Sequence, residues 1–160
     1  MANIIYTNHF EKIDLFQRLK KEGRIVNTPF RNKVSENSFC FEVGMKPSKT
    51  EEYKEHLLQT IKEVFGITNG SFDEKFNQAI NGAGQEWKEL NVFHSSSLLA
   101  LLCFYNVSKE NPLSVDIEGK ACKFITSEFE VSNIIGKNIR GKNYSSHIDV
   151  KLTGTCEGKS

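Results

Sequence analysis

Residues 145–160 read SSHIDVKLTGTCEGKS, and the place where this stretch turns decides how the chain's sheet ends. Ile148, Val150 and Leu152 alternate with Asp149 and Lys151, the period-two pattern of a half-buried strand. Gly154 comes next, and a glycine between two short runs of this kind predicts a closing β-hairpin. Loop parity then sets which side chains meet, because residues directly opposite each other in a hairpin share a face. A two-residue loop, Thr153-Gly154, pairs Leu152 with Thr155, sets Asp149 opposite Gly158 and turns Glu157 and Lys159 to the other face. A three-residue loop, Leu152-Thr153-Gly154, pairs Lys151 with Thr155 and brings Asp149 opposite Glu157, with Lys159 on the same face.

Upstream, LSVDI (113–117) and ACKFITSEFEV (121–131) are rich in β-branched and aromatic residues. Their junction at Glu118-Gly119-Lys120 reads as a hairpin with glycine in the turn. Residues 132–147, SNIIGKNIRGKNYSSH, read as a mostly polar connection rich in glycine, asparagine and lysine. Before these strands, Leu98 to Tyr105 is apolar on every face. Leu and Ala favour helix there, Ser95 or Ser96 can cap it, and Asn111-Pro112 breaks any helical continuation. A helix apolar all round is expected to be the central packing element.

Four further elements precede it. Phe10, Ile13, Phe16 and Leu19 fall at helical spacing across residues 10–21, with Gly23 as the stop. Phe39, Phe41 and Val43 alternate in a short strand. Ser48 and, three residues on, Glu51 form a capping box for a helix carrying Tyr53, Leu57, Ile61, Val64 and Phe65, which Gly66 ends. Ser71 and Glu74 repeat that logic for Phe72, Phe76 and Ile80, and Asn81-Gly82 closes the helix. Helices first and antiparallel strands last predict an α+β fold. We expect one domain over 1–160, with a helical part at 1–92 and a strand-rich part at 93–160.

With 160 residues, 38% of them hydrophobic and 26% charged, the chain can bury a core, which excludes disordered and collagen-like classes. The longest apolar run, Leu98 to Val107, is about half of a bilayer crossing, so no membrane span is expected. MANIIYTNHFEK lacks the basic and apolar regions of a secretory signal, so a cytoplasmic location is expected. The four cysteines, Cys40, Cys103, Cys122 and Cys156, include no CxxC pair and read as reduced, mostly buried thiols. Residues 119–160 carry seven Lys/Arg against four acids, a balance of +3, while the first 118 carry fourteen against sixteen, a balance of −2. The basic end is compatible with a polyanionic partner.

With odd loop parity, two carboxylates stand about 5 Å apart on one face and repel each other unless a cation lies between them. Mg2+ favours such oxygen ligands, and a nearby lysine can steady charge developing on a phosphodiester. With even parity the same residues form an ordinary charged hairpin. His94 beside Ser95-Ser96-Ser97 has no GxSxG elbow and reads as a helix start. The four histidines show no metal-ligand spacing; His147 flanks Asp149 on the same strand face. Lys137, Arg140 and Lys142, with Tyr144, are candidate phosphate contacts.

The arrangement of Asp149 and Glu157-Gly158-Lys159 resembles the active-site hairpin of the PD-(D/E)xK nuclease superfamily, the restriction-endonuclease-like fold. HSSSLLALLCFYNVSKENPL and, after it, FEVSN resemble segments of bacterial members of that group, and the likeness covers roughly residues 84–160. It implies that Asp149, Glu157 and Lys159 are catalytic, that Glu130 is a further acidic ligand, and that Asp149, Glu157 and Glu130 hold Mg2+. It also implies a mainly antiparallel sheet like the front half of that core, truncated at the C-terminus, since the family fold continues with a further helix and strand. The function implied is a Mg2+-dependent DNA endonuclease of a restriction or defence type. The alternative is a catalytically inactive or truncated relative that binds DNA or a protein.

Overall fold

The computed structural model describes residues 14–27, 39–81, 90–137 and 143–157, with side chains omitted at 132–137 and 143–147. Phe10, Ile13, Arg140, Lys142 and Lys159 lie outside the described residues, and Lys137, Tyr144 and His147 are described by their backbone alone. The fold is α+β. The elements are α1 (Asp14–Lys21), β1 (Ile25–Asn27), β2 (Phe39–Phe41), α2 (Glu51–Phe65), α3 (Ser71–Ile80), α4 (Ser96–Phe104), β3 (Leu113–Ile117), β4 (Lys120–Lys137) and β5 (Asn143–Glu157). The chain divides into two compact units, residues 1–68 with 87–98, and residues 69–86 with 99–160.

In the first unit, Phe16 and Leu19 of α1 are buried as their spacing predicts. β1 and β2 pair antiparallel, Ile25 with Phe41 and Asn27 with Phe39. Residues 91–93 extend this ribbon: the Phe41 N–H donates to the Asn91 carbonyl, the Phe93 N–H donates to the Phe39 carbonyl, and Cys40 bridges Val92. Aromatic rings fill the space beneath, with Phe16 edge-on to Phe39 at 4.8 Å between centroids and Phe65 stacked on Phe93 at 6.4 Å. Helix α2 buries Tyr53, Leu57, Leu58 and Ile61. Its cap is Thr50, whose hydroxyl accepts from the Tyr53 N–H at 3.3 Å, and Ser48 instead shares a hydrogen bond with the Thr50 hydroxyl. Thr50 stands one residue before the helix, within reach of that N–H, where Ser48 is too far back. Gly66 ends the helix in the left-handed conformation at φ 65°, as expected.

The second unit holds α3, the later part of α4 and the sheet β3-β4-β5. Helix α3, expected with the helical N-terminal part, belongs here because Lys75 donates to the Ser127 carbonyl of β4 at 2.7 Å. Phe72 and Phe76 are fully buried, and Tyr105 meets Phe72 edge-on at 5.1 Å. Helix α4 starts as predicted, with the Ser95 hydroxyl accepting from the Leu98 N–H at 3.0 Å. It is not covered all round: Leu98 and Leu101 are buried, but Leu99 is 64% exposed and Cys103 is exposed too. A single helical stripe meets the core, so apolar composition overstated its burial.

β3 and β4 form the expected hairpin. Glu118 and Gly119 both take positive φ, 53° and 76°, the two-residue turn whose twist matches its strands. The Gly119 N–H donates to Asp116 Oδ1 at 2.8 Å. Beyond it the expected arrangement fails in two places. The polar connection at 132–147 is strand on both sides, since β4 continues to Lys137 and β5 begins at Asn143. The closing hairpin is absent as well: β5 runs straight through Leu152, Thr153 and Gly154 and pairs with β4 from Lys137↔Asn143 to Ala121↔Glu157. Running on gives the backbone groups of both strands partners, whereas a hairpin at 152–154 leaves only a few residues to pair after its loop. Gly154 has a different task. The register slips by one between Phe124 and Thr126, a bulge, and there a Cβ on Gly154 would overlap the Lys123 carbonyl and lie 2.6 Å from Phe124 Cα. It is a close-approach glycine rather than a turn glycine.

The thiol expectation is also corrected. Cys122 and Cys156, directly paired across β4 and β5, form a disulfide that closes 34 residues of chain. Sequence distance hid this, because a long ribbon returns its end to its beginning. By loop entropy such a closure stabilises by roughly 4 kcal/mol. Cys40 is a buried free thiol, and burial pushes it up to about 11, while Cys103 is free and exposed.

Iodoacetamide at pH 8 should accordingly label Cys103 in the folded oxidised protein and Cys40 only after unfolding, as read by intact mass. Gly154→Ala should lower stability by about 1–3 kcal/mol in urea titration; an unchanged midpoint would place Gly154 away from the β4 backbone.

Candidate functional site

The carboxylates sit on the long β4–β5 ribbon, and the register decides which of them meet. Phe129 pairs with Val150 and Val131 with Ile148, so Glu130 and Asp149 are the facing residues between those pairs. Glu128, two positions along β4, pairs with Lys151, and their side chains form an ion pair at 3.6 Å. Ser127 and Phe129 are buried while Glu128 and Glu130 are only partly so. The alternation of the strands therefore gives the ribbon one packed face and one charged face. Glu130 has φ 51°, a left-handed conformation that is rare for a non-glycine residue and costs about 1–3 kcal/mol. Strain of this kind concentrates at functional positions.

Of the four residues expected to form a metal-dependent site, two come together. Glu130 and Asp149 occupy facing positions on neighbouring strands. Glu157 does not join them: it lies eight residues further along the same strand as Asp149, about 26 Å at 3.3 Å per residue. The odd-parity loop that would have set it opposite Asp149 is not formed, because β5 continues as strand. Instead Glu157 pairs with Ala121 and lines, with Asp116 and Lys123, a cleft of about 450 Å³ at the β3 end of the sheet. Lys159, Arg140 and Lys142 lie outside the described residues. Among the described residues no group of three or more His, Cys, Asp or Glu is arranged to hold a metal ion.

No family model, curated protein or solved structure matches the chain. Among the described residues no helix is long and apolar enough to cross a membrane.

Other chemistry-bearing groups are accounted for by structure. Ser95 spends its hydroxyl on the α4 cap, and burial lowers the pKa of His94. In the first unit Tyr53, Cys40 and Asn91 are buried together. Burial raises both the phenol and the thiol, Tyr53 further than Cys40, so neither is an acid or base at neutral pH. The group that sequence reasoning missed is the Cys122–Cys156 pair, for which the one local signal was its place in two strands predicted to belong to one sheet.

Like charges facing each other across strands are unfavourable by about 0.2–1 kcal/mol. Without divalent cations, Asp149→Asn should therefore raise the urea midpoint slightly, whereas Glu157→Gln should leave it unchanged. A clear loss of stability in Asp149→Asn would show that the carboxylate is held by a favourable partner rather than opposed by Glu130.

Proposed function

We propose that the chain is a Mg2+-dependent, DNA-hydrolysing protein of the restriction or defence type, acting in the cytoplasm, with Glu130 and Asp149 as the acids that hold the metal. The observation that supports this most is their register: two acids on neighbouring strands between the pairs Phe129↔Val150 and Val131↔Ile148, one of them in a left-handed conformation. Bound there, Mg2+ would supply charge neutralisation at a phosphodiester oxygen and acidify a water. The protein's own contribution is to carry the two carboxylates on neighbouring strands, between the pairs Phe129↔Val150 and Val131↔Ile148. Lys151, whose ammonium group is exposed and paired with Glu128, lies two positions along β5 from Asp149 and can contact a phosphate from the same face.

A second reading has its own support. With β5 straight, Glu157 stands far from Asp149, so the second acid of the expected site is not beside the first. That geometry favours an inactive relative that binds DNA without cutting it.

Three measurements separate the readings. In the first reading Mg2+ raises the melting temperature, because the metal binds the native state, and supercoiled plasmid is nicked. Glu130→Gln and Asp149→Asn then each lose the thermal shift and reduce nicking by about a hundred-fold or more. In the second reading fluorescence anisotropy reports salt-sensitive DNA binding that both variants retain, with no nicking at any metal concentration. Absence of both binding and nicking would remove DNA as the partner.

A further inference from the structure

The end of β5 is held in an unusual way. Thr153, Gly154, Thr155, Cys156 and Glu157 are all exposed, so this stretch contributes no side chain to the core. Its place beside β4 rests on ladder hydrogen bonds and on one covalent tie, the Cys122–Cys156 disulfide. Elsewhere on the ribbon packing anchors the strands: Phe129 is buried, and Lys75 reaches across from α3 to the Ser127 carbonyl. The bulge at Ile125 separates the packed stretch from the tied one, so the end can leave its partner without moving the rest.

The two sulfurs differ in access. Cys122 is buried at 3% exposure, under β3 and β5, while Cys156 is exposed at the edge strand. Cys122 also lines the 450 Å³ cleft, beside Thr155 and Glu157. Exposed disulfides are the ones that exchange readily.

We propose that Cys122 and Cys156 form a thiol–disulfide switch that docks the last residues of β5 on β4 when oxidised and releases them when reduced by a dithiol. A thiolate of the dithiol attacks the exposed Cys156 sulfur, the Cys122–Cys156 bond breaks, and Cys122 leaves as a thiolate that takes up a proton. The second thiol of the reductant, deprotonated, then attacks its own sulfur in the mixed disulfide. Cys156 is released as a thiolate and protonated. Two electrons have passed to the protein, and the dithiol ends as a cyclic disulfide. Release frees Glu157 and the cleft it lines, and reoxidation returns them. The inference stands on the sheet alone and is independent of any nuclease activity.

Hydrogen exchange with mass spectrometry on the full chain tests it, comparing oxidised protein, protein in excess dithiothreitol, and the Cys156→Ser variant. On reduction, amides in residues 153–157 should exchange at least ten-fold faster and by a larger factor than those of residues 126–131, while those of α2, in the other unit, change less than two-fold. Cys156→Ser, an exposed position, should match the reduced pattern with or without reductant. Removing dithiothreitol and adding oxidised glutathione should restore the slow exchange together with the two-dalton mass loss. Unchanged exchange at 153–157 on reduction would overturn the proposal. So would loss of protection throughout the chain, which would make the disulfide a structural cross-link rather than a switch.

Discussion

The second unit depends on one interaction, the antiparallel ladder between β4 and β5. It runs from Lys137↔Asn143 at one end to Ala121↔Glu157 at the other, with one slip at Ile125 and another between Ile134 and Gly136. Each backbone group placed in that ladder avoids the cost of an unpaired polar group, and the gain accumulates along fifteen residues of β5. Once the ladder is set, parity fixes the position of every charged side chain on the ribbon. Glu128 faces Lys151 and Cys122 faces Cys156, while Glu130 and Asp149 lie between the pairs Phe129↔Val150 and Val131↔Ile148.

The same ladder divides the ribbon into regions of different character. In its middle one face packs, through Ser127 and Phe129, in the unit that also buries Phe72 and Phe76 of α3, and the opposite face is left with the acids. At its far end β3 joins on the other side of β4, and β5 there is exposed, so covalent closure replaces packing. The acid pair lies in the firmly held region and Glu157 in the tied one. The separation explains why Glu157, so near Asp149 in sequence, takes no part in its immediate surroundings.

The first unit obeys a different logic. A short β1–β2 ribbon, widened by residues 91–93, covers aromatic rings from Phe16, Phe39, Phe41, Phe65 and Phe93. Two buried titratable groups here, Tyr53 and Cys40, are kept neutral by desolvation.

Local chemistry written in the sequence was legible. The helix stop at Gly66, the Ser95 cap, the glycine turn at Gly119 and the buried stripes of α1, α2 and α3 are each specified by residues within one or two turns of one another. The α+β class emerged from the change of hydrophobic period, and Asp149 could be singled out as a strand acid, while Glu130 was pointed to only by the resemblance to a nuclease family. What the sequence could not determine was pairing at a distance. Gly154 has the same local neighbours whether it turns the chain or lets two backbones approach, and the choice was made by Lys123 and Phe124, some thirty residues away. Cys122 and Cys156 met, and Asp149 faced Glu130 instead of Glu157, for the same reason: strand register is a competition among partners, and only the folded sheet shows which partner satisfies the most backbone.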